Sequence, residues 1–438
     1  MQQTVDLFLN ANPVGAVTRL SGGRFEFEYA APYRADEAHH PLSLSMPTTA
    51  AVHRDSRGES IVSNFMWGLL PDDREVLRRY ATHFNVPEND PLAILEAIGE
   101  DCPGAVSFGT PGRERGLGPL DEAAMADVID GLKRGRTPEI FGRNPGYFSL
   151  AGAQPKTALV YRDGHWYMPL GDEPSTHIVK PAMRDLEDQP LNEHFCLQLA
   201  REAGLAAPES WVEQVGNEQA IVVERFDRIT DDGLGTLRIH IEDMCQALGY
   251  APSQKYEENG GPGIRAIGEL LRDNATEPAA DLEQFMRAVM FNVLVCGTDA
   301  HAKNYSIWHV AGPQMALAPL YDINSVYPYF LRRNERKMAM AVRGKKIQHG
   351  IRPEHFEAEG RALGLPAEQV RAWLTEMGEQ LPERAQVIQD QMPYESLVID
   401  RIVGEITSYT RRLLGQLRRS RANYGKRFTL QDASDERS

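Results

Sequence analysis

Cysteine is scarce in this 438-residue chain. Its four cysteines, Cys102, Cys196, Cys245 and Cys296, lie far apart and form no C-x-x-C pair. Neither a zinc ribbon nor a disulfide framework is supported by that spacing. Long apolar runs are also missing, and none approaches the roughly 18 residues of a membrane-spanning helix. The opening MQQTVDLFLNANPVGAV has no basic stretch, and its apolar run VDLFL is too short for a signal peptide. Positive charge is outweighed, with 47 Lys and Arg against 62 Asp and Glu and a formal net charge of −15. That argues against wholesale nucleic-acid binding, but a local basic patch is compatible with it. These deficits lead us to expect a cytoplasmic protein with reduced thiols and no membrane association. What is present is ordinary: 42% hydrophobic and 25% charged residues mark a globular chain, and the length suggests about two or three domains.

The first hundred residues read as a β-rich module. TVDLFLN alternates Val5, Leu7 and Leu9, and RFEFEYA alternates Phe25, Phe27 and Tyr29, the period of half-buried strands. Turns are expected at Asn12-Pro13 and Ser21-Gly22-Gly23, and PLSLSMP (41–47) reads as a further short strand. A helical stretch follows, NFMWGLLPDDREVLRRYATHF, broken near Pro71. DPLAILEAIGED (90–101) predicts a helix capped by Asp90 with Pro91 at its first position. GTPGRERGLGPL (109–120) is rich in Gly, Pro and charge and is the first linker candidate. From about 145, strands alternate with helical pattern: FSLAGAQPKTALVYR, HWYMPL, THIVKP, WVEQV and QAIVVERFDR around the amphipathic LNEHFCLQLAREAGL. Helices dominate from about 240. DLEQFMRAVMFNVLVC is apolar on most faces and reads as a buried core helix, and a long amphipathic helix closes the chain from about 395 to 424.

Chemistry concentrates in TDAHAKN (298–304), a polar loop directly after the buried helix. Asp299 and Asn304 stand five apart, the D-x-x-x-x-N spacing of a kinase catalytic loop. There the Asp takes the proton of the attacking hydroxyl and the Asn binds magnesium. Asp322, in LYDIN at the end of an apolar strand, could supply a second oxygen ligand, as Mg²⁺ requires. Alone, each residue is more often a helix cap or a turn former. Their order and spacing together favour the chemical reading. Lys180, closing HIVKP, stands where a strand lysine meets α- and β-phosphates, although a lone lysine there is ordinarily a snorkelling edge residue. Glu193, early on the next helix, is placed to pair with it, or simply to favour the helix dipole. In SLAGAQPKTAL (149–159), Gly152 between Ala151 and Ala153 would let backbone N–H groups approach phosphates. On composition alone such a stretch is more often an ordinary turn. VERFDR (223–228) reads either as a hinge strand or as a strand ending in solvated charges. His39-His40 belongs to no H-x-x-x-H set, and Ser149, His301 and Asp299 lack a G-x-S-x-G elbow, so zinc and hydrolase readings fail.

Taken together, SLAGAQPKTAL, THIVKP, VERFDR, EDMCQALG, KYEENGGPG, TDAHAKN and PLYDI resemble, in order over about 140–325, the HipA toxins. These are serine/threonine protein kinases of bacterial type II toxin–antitoxin systems. The N-terminal module, with NxxxGxxxRL and PLSLSMP, resembles that family's N-terminal subdomain. The resemblance implies an α+β, two-lobed protein-kinase-like fold: an α/β N-lobe with an added β-rich subdomain, and a mostly helical C-lobe. The expected division is 1–110, 111–230 and 231–438.

By the same resemblance Asp299 is the catalytic base, with His301 beside it orienting Asp299 or the nucleotide. Asn304 and Asp322 bind Mg²⁺, and Lys180 contacts ATP phosphates. Ala151, Gly152, Ala153, Gln154, Pro155 and Lys156 form the phosphate-binding loop. Glu224, Arg225 and Phe226 fall at the hinge that contacts adenine, and Ser149 matches an autophosphorylated serine. No Gly follows Asp322 and no Arg precedes Asp299, so control by a D-F-G flip or an R-D pocket is not expected. The implied partners are a small helix-turn-helix antitoxin, operator DNA through that complex, and a protein substrate, glutamyl-tRNA synthetase by family analogy. Other readings are a small-molecule phosphotransferase or chiefly a co-repressor module. Two basic clusters bear on the last: Arg332, Arg333, Arg336, Lys337, Arg343, Lys345 and Lys346, and Arg411, Arg412, Arg418, Arg419, Arg421, Lys426 and Arg427. Solvated surface is the alternative for both.

Overall fold

The computed structural model describes residues 3–10, 12–109, 112, 114–135, 149–216, 218–231, 235–310, 312–330 and 332–435, with side chains as far as Arg419. The chain begins with an antiparallel sheet of β1 (Thr4–Leu9), β2 (Asn12–Arg19), β3 (Phe25–Tyr29), β4 (Val52–Arg54) and β5 (Val106–Phe108), in the order β4-β3-β2-β1-β5. Val5, Leu7 and Leu9 face inward with Phe25, Phe27 and Tyr29, as period two dictates. Of the helices α1 (Ala31–Ala35), α2 (Ile61–Leu69), α3 (Arg74–Phe84) and α4 (Pro91–Ile98), the second and fourth supply most of the other half of that core, including Phe65, Leu69, Leu92 and Ile98. Asp90 caps α4 by accepting from Ala93 N–H at 3.3 Å, as its sequence predicts.

A second antiparallel sheet holds β6 (Gly116–Leu120), β7 (Thr157–Arg162), β8 (His165–Leu170), β9 (His177–Pro181), β10 (Ser210–Val215) and β11 (Glu218–Glu224), in the order β10-β11-β9-β7-β8-β6. Ala220 and Val222 of β11 pack with α5 (Glu122–Lys133), while Ile221 and Val223 pack with α6 (Gln189–Glu202). Alternation along one strand thus places a helix on each face.

The remainder is helical around a large core: α7 (Met244–Ala247), α8 (Ile264–Asn274), α9 (Pro278–Val295), α10 (Pro353–Ala362), α11 (Ala367–Asp390) and α12 (Leu397–Asp435). Small sheets interrupt it. They are the hairpin β12 (Arg228–Asp231) and β13 (Gly235–Arg238), the triple β14 (His240–Asp243), β15 (Ser306–His309) and β16 (Met315–Leu317), and the hairpin β17 (Lys337–Val342) and β18 (Lys345–Ile347). Twelve residues of α9 are buried, which explains its nearly continuous hydrophobicity.

Three local expectations are corrected. PLSLSMP is a turn bridged between Ser43 and Met46, not a strand. Its polar groups are satisfied from elsewhere: Tyr29 O–H donates to Met46 O, Leu42 N–H donates to Tyr29 Oη, and Ser43 O–H donates to Glu242. Its alternation mimics a strand because Leu42 and Met46 fill core positions. The chain reverses near Asn10, which has φ 54°, rather than at Asn12-Pro13, which opens β2. The Gly-rich stretch 109–120 ends in β6, which pairs with β8. Thr110, Pro111 and Arg113 lie outside the described residues.

Candidate active site

A cleft of about 450 Å³ opens between the six-stranded sheet and the helical region. Strand β9 carries Lys180 to its floor, where the side chain is 7% exposed. An isolated ammonium there would be costly. It is instead paired to Glu193 Oε1 at 2.7 Å and to Asp322 Oδ1 at 2.8 Å. Burial opposes its charge, but Asp322 and Glu193 outweigh that and hold its pKa above the usual lysine value. Gln189 donates to Glu193 Oε2 and to Asn324 Oδ1, both at 3.2 Å, which ties α6 to the segment bearing Asp322.

Asp322 has φ 57°, a left-handed conformation that non-glycine residues seldom adopt outside turns and functional sites. Burial works against its carboxylate, yet Lys180 and Lys156 keep its pKa well below the usual range.

Helix α9 delivers the loop 298–304 onto the opposite wall. Gly297 packs closely there: a Cβ would lie 2.5 Å from Asn292 Oδ1, so a larger residue would displace that buried amide. Ala339 N–H donates to Thr298 O and Ala302 N–H donates to Lys255 O, so the loop backbone is fastened from two sides. Tyr256 O–H donates to Asp299 Oδ1 at 2.6 Å, which orients one carboxylate oxygen and leaves the other to accept a proton. Asn304 Nδ2 donates to Asp299 O at 2.9 Å, so its amide oxygen is its remaining acceptor. His301 stacks edge-on to Tyr256 at 5.0 Å, and burial lowers its pKa to about 4, so it is neutral at pH 7. Its buried Nδ1 has no hydrogen-bond partner among the described residues, which suits contact with a ligand in the cleft.

The roof is the 151–156 loop. Gly152 has φ 105°, a conformation in which a side chain would be strained. Lys156 folds back to donate to Ala151 O at 2.7 Å. Burial, and then Lys180, lowers its pKa to about 8. Ala151, Gly152, Ala153, Gln154 and Lys156 border the cleft, and Gln154 donates to Gln189 at 3.0 Å. Pro155 lies within the same loop, half-buried.

At the back, Phe226 borders the cleft with its ring 5.3 Å from Tyr321, and Glu224 is exposed at the end of β11. Arg225 needs correction as a nucleotide contact through its side chain. Its guanidinium turns into a buried network, donating to Asp227, Asp101 and Cys102 O. Arg228 joins the same two aspartates, so of the charges in VERFDR only Glu224 is solvated.

Ser149 is fully buried, its hydroxyl donating to Leu69 O at 2.7 Å rather than to His301. Sequence reasoning assigned no role to Asp72, Lys255 or Tyr256, and left Lys303 unplaced. The first binds both lysines, and the only signal was the string KYEENGGPG. The first basic cluster is substantially paired: Arg336 is buried against Glu405, Lys337 meets Glu258 and Lys346 meets Glu257. In the second, Arg412 lies over the Tyr409 ring and Arg411, Arg418 and Arg419 are on the surface. Arg421, Lys426 and Arg427 fall outside the described side chains.

Fold and cleft together define a two-lobed, protein-kinase-like α+β protein. Residues 5–109 match the family model described as HipA N-terminal domain and 148–385 the one described as HipA-like C-terminal domain. The chain belongs to the HipA family. It is 33% identical over 400 residues to Sinorhizobium fredii Y4mE, covering 89% of this chain and 92% of that one. It is 31% identical over 374 residues to the Shewanella oneidensis serine/threonine-protein kinase toxin HipA, covering 81% and 83%. The solved Shewanella oneidensis HipA, in complex with HipB and its operator DNA, superposes with a TM-score of 0.81 at 26% identity, over 95% of this chain and 99% of that one.

Proposed function

We propose that this chain is an ATP-dependent serine/threonine protein kinase and the toxin of a type II toxin–antitoxin module. The observation that carries this reading is the Lys180 ammonium, paired to both Glu193 and Asp322 in the cleft that also holds Asp299 and Asn304. Asp299, with one oxygen fixed by Tyr256, takes the proton of the substrate hydroxyl. Lys180 and the 151–156 loop receive the ATP phosphates, and Glu224 to Phe226 supply backbone and ring contacts for adenine. The side-chain oxygens of Asp322 and Asn304, both bordering the cleft, suit Mg²⁺ that would complete its shell with phosphate and water. When bound, that ion neutralises charge on the transferring phosphoryl group.

The division at about 110 and 230 follows the two large sheets and the helical region. The Shewanella complex of HipA, HipB and operator DNA supports an antitoxin and operator DNA as partners. A small helix-turn-helix repressor as that antitoxin, a co-repressor role beside the kinase and a cytoplasmic location are part of the same proposal. The protein substrate proposed is an aminoacyl-tRNA synthetase, glutamyl-tRNA synthetase by family analogy, whose modification arrests growth.

The test is transfer of the ATP γ-phosphate to protein by the wild type and by Asp299→Ala. Loss of about 10²–10⁴-fold, with ATP binding and the folded state retained, is expected for a general base. An Asp299→Ala chain that transfers at the wild-type rate overturns the assignment.

A further inference from the structure

The β-rich N-terminal unit does more than pack beside the cleft. Its turn after α2, Leu69 to Asp72, reaches the two loops on which phosphoryl transfer depends. Asp72 lines the cleft and binds Lys303 Nζ at 2.7 Å and Lys255 Nζ at 2.8 Å. Lys303 lies 231 residues further along the chain, one residue before Asn304, and its side chain is 4% exposed. The same turn seats the phosphate loop: Asp72 N–H donates to Gly152 O at 3.1 Å, Pro71 and Gly152 form a parallel bridge, and Leu69 O accepts the Ser149 hydroxyl at 2.7 Å.

A carboxylate beside a phosphate site repels the ligand unless its charge is spent. Within this cluster two ammoniums and one carboxylate leave one net positive charge. Burial resists ionisation of Asp72, but Lys303 and Lys255 overcome it and keep the pKa below the usual range. A free lysine head carries rotamer entropy that an anchored one no longer has to lose. Lys255 is anchored twice, since its carbonyl also takes Ala302 N–H of the catalytic loop. Its neighbour Tyr256 holds Asp299. The contacts thus run from the N-terminal unit to the catalytic carboxylate through adjacent residues.

We infer that Asp72 is a positioning residue for phosphoryl transfer. It fixes the Lys303 ammonium where the transferring phosphoryl group arrives, while the backbone of its turn seats the 149–152 loop. The kinase reading above is presupposed, and the N-terminal unit becomes part of the working site.

The experiment compares wild type, Asp72→Asn, Lys303→Ala and the double variant, in steady-state ATP-dependent transfer and in hydrogen exchange. Asp72→Asn is expected to lower kcat about tenfold to a hundredfold, as misplacement of a reacting group does, and to change KM for ATP far less. In the Lys303→Ala background the same substitution should cost nothing further, because residues acting as one unit are not additive. Full kcat in Asp72→Asn, or losses that multiply in the double variant, overturn the inference. Exchange in segments 69–73 and 149–156 should quicken in Asp72→Asn while the helical core stays protected. Lys303→Met, which keeps the aliphatic stem, should loosen the same segments and serves if Asp72→Asn does not fold. Unchanged exchange in both overturns the seat. A wild-type chain that transfers no phosphate defeats the kinase reading instead, and the exchange result still judges the turn.

Discussion

Lys180 Nζ stands 2.7 Å from Glu193 Oε1, and the glutamate is wholly buried. Thirteen residues separate the two in sequence, one on the strand β9 and one in the second turn of α6. The pair fixes helix to sheet at the floor of the cleft and holds the ammonium where phosphates are proposed to bind.

Removing the anion should therefore be felt in the fold. Glu193→Ala leaves a buried ammonium with Asp322 as its remaining carboxylate. Breaking a buried pair costs about 3–5 kcal/mol, and the retained partner puts this case near 3 kcal/mol. A urea midpoint lowered by that free energy divided by the unchanged slope is the expected result. A midpoint equal to the wild type's would show the pair to be energetically idle.

The proposed magnesium ligands predict a metal-dependent defect. Asp322→Asn or Asn304→Ala should weaken ATP binding in Mg²⁺ far more than in EDTA, measured by calorimetry. Equal loss in both media would point to disturbed packing, which for Asp322→Asn is a live alternative because Lys180 loses a charge partner.

Ser149 makes a sharper demand. Its hydroxyl is buried on Leu69 O, so phosphorylation requires the segment to leave that seat. A phosphate adds roughly −1.5 to −2 charges at neutral pH, which cannot return beside a carbonyl oxygen. Incubation with Mg-ATP should label Ser149, the label should need Asp299, and labelled protein should bind ATP poorly. Mass spectrometry finding no phosphate there in active protein would falsify the switch.

Lys156 gives a pH dependence. Burial, then Lys180, lowers its pKa from 10.5 to about 8, so it is charged at pH 7 and neutral above about 8. Its attraction for phosphate is present at low pH and lost as pH rises through 8. ATP affinity should fall between pH 7 and 9 in the wild type, and in Lys156→Met the fall should flatten. Stability moves the other way. The unfolded lysine keeps its proton to about 10.4, so this group destabilises the fold below pH 8 and less as pH rises toward 10.4.

Much of the architecture was legible in local pattern. Period two along β1 and β3, the Asp90-Pro91 start of α4 and the apolar α9 each follow from burial repeating at short range. The order and spacing of Lys180, Asp299, Asn304 and Asp322 were equally visible, because spacing is a property of the chain itself. PLSLSMP misled for the same reason. Its alternation records which residues are buried, while its backbone is satisfied by Tyr29 and its serine by Glu242, both distant in sequence.

What the linear chain determined by itself, then, is most of the larger elements, the family and the candidate residues for the chemistry. Tertiary structure alone decided their partners. Arg225 turned from the cleft into a buried ion network because Asp101 and Asp227 were waiting there. Asp72 became part of the site because folding brought it 2.7 Å from a lysine 231 residues away. Such pairings carry no local periodicity. A buried charge must find its opposite, and only the folded chain settles which one lies within reach.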